Sequence, residues 1–238
     1  QKLSTFFGQS SFATYAVVSE ASAIKIPYDD IDLGIVAPVG CGIQTGAGAV
    51  LNVLHPDFGS AIAVFGCGTV GMSAIMAANI VGCSKIIAVG GNATSLELAQ
   101  ELGATHTINR REESDIVGRI REITDGGCDY AIDTSGNADF VKKMLASVGF
   151  MGKGVILGAT GDVTFNIQEE LMGDSKSLIG VVEGDAIPKL FIPKLLEYYK
   201  MGRFPIDKIV KFYPFEKINE ALEDSHAGKC IKAVVRMD

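Results

Sequence analysis

Cysteine and histidine are sparse in this chain and show no ligand-like spacing. The five cysteines form neither a C-x-x-C pair nor a cluster, and the three histidines lie far apart. This argues against a disulfide framework and against a metal site built from one local motif. It favours free thiols in a reducing cytoplasm. The residues concerned are Cys41, Cys67, Cys83, Cys128, Cys230, His55, His106 and His226.

Basic residues are outnumbered by acidic ones. With 21 Lys and Arg against 28 Asp and Glu, the net charge is −7, which argues against a nucleic-acid-binding or anionic-membrane surface. Two stretches without charge, residues 33–54 and 61–84, are long enough to cross a bilayer. Both are rich in glycine, the first contains Pro38, Gln44 and Asn52, and the second divides into a strand, a glycine turn and a helix. We therefore predict buried core segments and no membrane span.

From residue 61 onward, short apolar segments alternate with amphipathic ones. This alternation predicts βαβ units and a parallel sheet. Because six strands are found, we predict an α/β fold with a doubly wound, six-stranded sheet of the Rossmann type. The predicted strands are residues 61–65, 86–89, 106–108, 130–132, 155–157 and 178–182, and the predicted helices are residues 70–81, 95–102, 116–124, 138–147 and 167–172.

The flanking segments follow other patterns. Residues 12–18 and 23–26 are strand-like, whereas residues 31–54 are helical and rich in small side chains. After Pro188 the alternation stops, and we predict a mixed tail rather than another βαβ repeat. Its helices are residues 190–200 and 216–225, and its strands are residues 209–212 and 231–235.

Residues 66–71 read GCGTVG, which has the form G-x-G-x-x-G. The motif directly follows a predicted strand and begins a predicted helix, which is the context of a dinucleotide-binding loop. Gly66 permits the tight turn, Gly68 lets the backbone approach a pyrophosphate, and Gly71 lets helix and strand pack closely. The unpaired N–H groups of the helix N-terminus then face the phosphates. The alternative is a packing turn in another α/β fold.

The end of the second predicted strand lacks the acid that usually binds the adenosine ribose. Residues 88–95 read AVGGNATS and contain no Asp or Glu. Gly90 and Gly91 leave room for a 2′-phosphate, and Asn92, Thr94 and Ser95 are hydrogen-bond donors, which together favour NADP. The absence of a nearby Arg favours the alternative, an NAD enzyme that dispenses with the acid.

The remaining candidates are turns after strands and one cysteine. Ligands bind at the carboxyl ends of parallel strands, so residues 133–136, 158–161 and 181–185 are expected to face a cofactor, with plain connecting turns as the alternative. The acids after the sixth strand, Glu183 and Asp185, are expected to be exposed to solvent, with a substrate pocket as the alternative. Residues 110–113, which read RREE, are predicted to be a solvated helix start. Cys41 is either a buried small residue or a zinc ligand, and the residues alone leave it unassigned.

Taken together, these motifs resemble the zinc-containing medium-chain alcohol dehydrogenases, and within them the benzyl, or aryl, alcohol dehydrogenases. The resemblance covers essentially the whole chain. It implies a remnant of a mainly β, GroES-like catalytic domain at residues 1–42, a Rossmann dinucleotide-binding domain at residues 43–182, and a return to the catalytic domain at residues 183–238. The motifs are residues 6–15 (FFGQSSFATY), 40–46 (GCGIQTG), 66–71, 180–185 (GVVEGD), 191–193 (FIP) and 211–213 (KFY).

The resemblance also implies roles for single residues. Cys41 corresponds to a catalytic-zinc ligand, and Thr45 lies beside the nicotinamide. In the family, zinc binds the alcohol oxygen, lowers its pKa and stabilises the alkoxide while hydride passes to the nicotinamide. With the residues proposed above, the candidate cofactor-binding set is Gly66, Gly68, Thr69, Val70 and Gly71, with Lys232 at the pyrophosphate; Gly90, Gly91 and Asn92 at the ribose; Leu157, Ala159 and Val182 near the nicotinamide carboxamide; and Thr134 in the turn after the fourth strand.

The family's other zinc ligands, its proton relay and its structural zinc loop belong upstream of Gln1. We therefore expect this fragment to bind NAD or NADP but to be poorly loaded with zinc and inactive, whereas its full-length parent transfers hydride between NAD(P) and a primary or aryl alcohol. The alternatives are a zinc-free quinone or enoyl reductase and a non-catalytic dinucleotide-sensing module. The apolar edge strand at residues 178–182 predicts a homodimer or homotetramer, and we expect a cytoplasmic enzyme without nucleic-acid or membrane partners.

Overall fold

The computed structural model describes residues 12–237 of the chain. At its centre lies a parallel sheet of six strands in the order β3-β2-β1-β4-β5-β6, which is the strand order of a Rossmann domain. The predicted fold class is therefore confirmed. The strands are β1 (Ala61–Phe65), β2 (Lys85–Gly90), β3 (His106–Asn109), β4 (Cys128–Asp133), β5 (Val148–Ile156) and β6 (Ser177–Gly180).

Helices connect these strands and precede and follow the sheet. Helix α2 continues into a wider π-type turn, Ala49–Leu54, and a second such turn, Gln168–Met172, stands where a helix is predicted at residues 167–172. The α-helices are α1 (Leu33–Val36), α2 (Gly42–Gly48), α3 (Thr69–Val81), α4 (Ala93–Glu101), α5 (Ile116–Thr124), α6 (Ala138–Ser147), α7 (Pro188–Lys200) and α8 (Ile218–His226).

The middle strands are buried on both faces. Successive side chains of a strand point to opposite faces of the sheet. In β1, Ile62 and Val64 therefore pack into the core that contains α3 and α4, whereas Ala63 and Phe65 pack into the core that contains α5 and α6. A strand covered on both faces reads as a continuous apolar run, which is why β1 shows no alternation in its sequence.

The second charge-free stretch is largely a core segment, as predicted; of the first, residues 43–50 are buried, whereas Leu33 is 66% exposed. Helix α3 is fully enclosed from Gly71 to Ala78 because it lies between the sheet and α2, and it ends at Gly82, where φ is +84°. Among residues 12–237, no single helix has both the length and the apolar composition of a membrane span. The segments Leu33–Gly40 and Gly42–Leu54 pass such a test only as a pair, across a bend of 59°.

The two strands predicted before the sheet are wrong. Residues 12–18 and 23–26 form no strand, and the only regular element among residues 12–32 is a short 3-10 turn, Glu20–Ser22. Tyr15 and Val17 are 92% and 96% exposed. Apolar β-branched residues favour a strand, but strand pairing needs a neighbour for the backbone N–H and C=O groups, and no described strand pairs with this segment. Residues 1–11, which carry part of the family-like motif, lie outside the described residues.

The tail has the predicted mixed character. Strand β7 (Val210–Pro214) pairs in parallel with β8 (Lys232–Arg236), with α8 between them in sequence. The sixth strand of the main sheet ends at Gly180 rather than at residue 182, so Val182 lies in the turn that follows it.

Candidate active site

The glycine loop after β1 leaves an open space in front of helix α3. At Gly66 φ is +110° and a Cβ would overlap the Thr134 hydroxyl, while at Gly71 a Cβ would overlap the Gly66 carbonyl oxygen, so both positions require glycine. At Gly68, by contrast, a Cβ would meet no atom within 4 Å. This open space lies at the N-terminus of α3, which has no side-chain cap, and a helix N-terminus of this kind binds phosphate oxygens.

Helix α2 packs so closely on α3 that it brings Cys41 and Thr45 beside the glycine loop. A Cβ on Gly46 would overlap the Val70 carbonyl oxygen and would lie 2.9 Å from its carbonyl carbon. Cys41 directly precedes α2, and Thr45, one turn into it, donates its hydroxyl to the Cys41 carbonyl at 2.9 Å. The structure thus brings the two predicted catalytic residues next to the predicted phosphate loop.

The turn after β6 packs closely against α2. Three successive residues, Glu183, Gly184 and Asp185, have φ values of +52°, +68° and +47°, which is a strained conformation for the two acids. A Cβ on Gly48 would lie 2.7 Å from the Gly184 Cα, and the Asn52 amide donates to the Gly184 carbonyl at 3.0 Å. These contacts hold the turn in place against α2.

Glu183 faces the site, which corrects the expectation that it faces solvent. Its carboxylate accepts a hydrogen bond from Gln44 Nε2 at 2.9 Å and lies 3.5 Å from the Thr45 hydroxyl oxygen. Gln44 is almost completely buried, and its Oε1 has no hydrogen-bond partner among the described residues. The signal that could have identified Glu183 is the glycine that follows it, because Gly184 permits the turn to approach α2. Asp185 is exposed, as predicted.

The Cys41 thiol lies between a carboxylate and an ammonium group. Its pKa is raised, mainly because the thiol is partly desolvated and secondly because Glu183 is close, while Lys232 acts in the opposite direction. Lys232 is half-buried and begins β8, next to Ile231, whose carbonyl accepts the Thr69 hydroxyl at 3.2 Å. This bond anchors β8 at the N-terminus of α3, so Lys232 is placed to act on both the thiol and the phosphate loop.

A cavity of about 340 Å³ opens at the carboxyl ends of β1 and β2. Gly66 and Cys67 line one side, and Gly90, Gly91 and Arg110 line the other. The prediction that no Arg lies near the end of β2 is wrong. Arg110 is exposed, as predicted, but residues 110–112 form a turn and not a helix start. In the parallel register Asn109 stands opposite Gly90, so the residue after β3 is carried to the end of β2. Strand order is the signal that could have identified this arginine.

The donors predicted around Asn92 are arranged differently from the expectation. The Asn92 side chain accepts from the Ser95 N–H at 3.4 Å, as the N-cap of α4, and donates to the Gly228 carbonyl at 3.1 Å. Both ends of the amide are therefore engaged. Thr94 and Ser95 line another cavity, between α4 and the segment that leads into β8. The polar side chains that line the Gly90 cavity are instead those of Arg110, Ser135 and Asn137.

The turns after β4, β5 and β6 lie at the same edge of the sheet as the glycine loop, because the strands are parallel and adjacent. The Thr134 hydroxyl donates to the Phe65 carbonyl at 3.0 Å and so ties the turn after β4 to β1. Leu157 is half-buried, whereas Ala159 is exposed and Val182 is 80% exposed. The geometry gathers these residues along one edge, where a bound nicotinamide would lie.

Comparison with known proteins identifies the family. Residues 69–197, more than half of the chain, match the zinc-binding dehydrogenases. This chain belongs to that family. It is 40% identical to geraniol dehydrogenase of Castellaniella defragrans and 34% identical to a probable S-(hydroxymethyl)glutathione dehydrogenase of Schizosaccharomyces pombe. Each match covers 98% of this chain and 62% of the relative, so the chain spans less than two thirds of the length of these proteins.

Solved structures of the family have the same fold. An alcohol dehydrogenase zinc-binding domain protein of Burkholderia ambifaria superposes with a TM-score of 0.94 at 46% identity, over 98% of this chain and 63% of the other. Benzyl alcohol dehydrogenase of Acinetobacter calcoaceticus superposes with a TM-score of 0.94 at 42% identity, over 98% of this chain and 64% of the other.

The fit of a catalytic zinc depends on the metal-ligating side chains near Cys41. A catalytic zinc takes three protein ligands and leaves a fourth position open. Near Cys41 the only acidic side chain that perturbs its thiol is Glu183, and residues 12–237 contain no group of three His, Cys, Asp or Glu that could hold a metal ion. The donor set therefore fits one part of such a site.

Proposed function

We propose that this chain is the cofactor-binding part of an NAD(P)-dependent alcohol dehydrogenase. The observation that carries the proposal is the open position at Gly68, at the uncapped N-terminus of α3 and beside Cys41 and Thr45. A dinucleotide pyrophosphate fits this place, and Lys232 can neutralise part of its charge. The relatives support an alcohol as the substrate, since their names specify geraniol, benzyl alcohol and S-(hydroxymethyl)glutathione.

Each residue of the site has a proposed task. Thr69 and Val70 donate backbone N–H groups to the pyrophosphate, and Thr45 lies beside the nicotinamide. A bound nicotinamide would supply the hydride chemistry, and these residues would hold it in position for the alcohol. The turns after β4, β5 and β6 contribute Thr134, Leu157, Ala159 and Val182 at the nicotinamide end, and Gly90, Gly91 and Asn92 belong to the ribose end.

Cys41 is proposed as one zinc ligand of the protein. One thiolate with a neighbouring carboxylate is too few ligands for firm zinc binding, so the 238 residues alone are expected to bind cofactor without turning over alcohol. No step of the reaction is assigned to zinc on these residues. The proposed division of the chain places the dinucleotide-binding domain at residues 43–182, between catalytic-domain segments at residues 1–42 and 183–238.

NADP is the preferred cofactor in this proposal. At the end of β2, Gly90 stands where NAD-binding Rossmann domains have an acid, so the ribose hydroxyls lose an acceptor and a 2′-phosphate meets no repulsion. We also propose a cytoplasmic homodimer or homotetramer, because β6 is an edge strand with unpaired backbone groups. Sedimentation that shows only monomer over a wide concentration range would refute the oligomer.

A Gly68→Val substitution tests the dinucleotide site. A Cβ at Gly68 meets no protein atom within 4 Å, so valine should occupy the space in front of α3, and cofactor binding should be lost while the fold persists. Gly40→Val is the matched control, because Gly40 is exposed and a Cβ there also meets no atom within 4 Å. Fluorescence titration with NADPH and NADH measures binding. Binding by Gly68→Val equal to that of the wild type would refute the proposed site.

A further inference from the structure

Arg110 is a guanidinium group without an ion-pair partner at the edge of the Gly90 cavity. None of the carboxylates in residues 12–237 forms a salt bridge with it, although acids follow it directly in the sequence. Glu112 instead accepts from the Asn109 amide at 2.7 Å, and Glu113 accepts from the Asp115 N–H at 2.9 Å. The charge of Arg110 is therefore available to a ligand.

The position of Arg110 is fixed by its surroundings. Its backbone N–H donates to the Gly90 carbonyl at 2.8 Å, and its guanidinium lies 5.4 Å from the centroid of the Phe140 ring, a cation–π distance. A Cβ on Gly91 would lie 2.7 Å from Arg110 Nε and 3.1 Å from its Cζ. The absence of a side chain at Gly91 is thus what lets the guanidinium lie across the end of β2.

We propose that Arg110 binds the 2′-phosphate of NADP and thereby determines which dinucleotide this dehydrogenase uses. The inference rests on the proposed dinucleotide site. With the pyrophosphate in front of α3, the adenosine ribose reaches the end of β2, where Gly90 supplies no carboxylate and Arg110 supplies a planar set of donors. A 2′-phosphate carries nearly two negative charges at neutral pH and accepts such bonds in pairs.

Two mononucleotides isolate the contact. 2′,5′-ADP and 5′-AMP differ only in the 2′-phosphate, so the ratio of their dissociation constants measures what that group contributes. We expect the wild type to bind 2′,5′-ADP at least about tenfold more tightly, because a charge-assisted hydrogen bond contributes on the order of a tenfold to hundredfold change in affinity. Arg110→Gln should abolish this ratio and leave 5′-AMP binding unchanged.

Arg111→Gln is the matched control, because it removes the same charge one residue further along, from an exposed side chain that does not line the cavity. It should keep the wild-type ratio. Gly91→Ala provides a second variant, since its methyl group displaces the guanidinium without removing its charge, and it should lower the ratio. Thermal unfolding of each variant verifies the fold. In titrations with NADPH and NADH, the ratio of the two affinities should rank the wild type and the variants in the same order.

Three results would overturn the proposal, and they are distinguishable. If Arg110→Gln lowers the affinity for 2′,5′-ADP and for 5′-AMP equally, Arg110 contacts the adenine and does not bind the 2′-phosphate. If the wild type binds NADH and 5′-AMP as tightly as their 2′-phosphorylated counterparts, the dinucleotide site stands and the role of Arg110 fails. If neither mononucleotide nor either dinucleotide binds, the proposed function itself fails.

Discussion

Replacing Gly46 by alanine tests whether the close contact of α2 with α3 builds the active site. The new Cβ would overlap the Val70 carbonyl oxygen and lie 2.9 Å from its carbon, whereas carbon atoms pack at about 3.5–4.0 Å. Overpacking of this kind costs about 3 kcal/mol, and the better helix propensity of alanine offsets about 1 kcal/mol. The net loss of about 2 kcal/mol corresponds to a fall in Tm of about 4–8 °C for a domain of this size.

The same substitution should weaken cofactor binding, because α2 must move away from α3 and carries Cys41 and Thr45 with it. Calorimetry gives the Tm, and NADPH titration gives the affinity. Gly40→Ala is the control: it lies just before the same helix, a Cβ there meets no atom within 4 Å, and we expect a change of less than about 0.5 kcal/mol. If the Tm of Gly46→Ala equals that of Gly40→Ala, then α2 and α3 can accommodate a methyl group at position 46, and the predicted overpacking is refuted.

Three further predictions concern the charge cluster, the thiols and turnover. Hydrogen bonds from Tyr213, Lys211 and Lys229 hold the pKa of the buried Asp224 well below its ordinary value, so its stabilisation is present above about pH 4 and is lost as the pH falls further. Asp224→Asn should therefore lower Tm at pH 7 and flatten its fall in acid; an unchanged acid profile would refute the assignment. Burial raises the pKa of Cys128 to about 12, so alkylation at pH 8, followed by peptide mapping, should modify the exposed Cys41 long before Cys128. Finally, the 238 residues with added zinc should not oxidise benzyl alcohol, and activity that Cys41→Ser removes would show that they hold a complete site.

The alternation of strands and helices was predictable because the middle strands are short continuous apolar runs, whereas helices such as α5 and α6 are amphipathic. Helices α5 and α6 have the predicted bounds, and their N-caps, Asp115 and Asn137, mark where they start. The apolar pattern is misleading for residues 12–18, because a strand forms only where a neighbouring strand pairs with it, and the local sequence does not specify that neighbour. The glycine loop was predictable because all of its defining glycines lie within six consecutive residues, between a strand and a helix. Arg110 and Glu183 were not, because each reaches the site through strand order and helix packing rather than through sequence distance.

The tight contact of Gly48 with Gly184 and the open cavity beside Gly90 impose opposite constraints on how this enzyme can change. At the proposed nicotinamide end, where backbones touch, a side chain added at Gly48 or Gly184 moves α2 or the turn after β6. A library that seeks new substrates there would mostly yield unstable proteins. At the ribose end, the exposed side chain of Arg110 can be exchanged without disturbing the core. Cofactor preference is thus the property that evolution or engineering can alter at the least cost in stability.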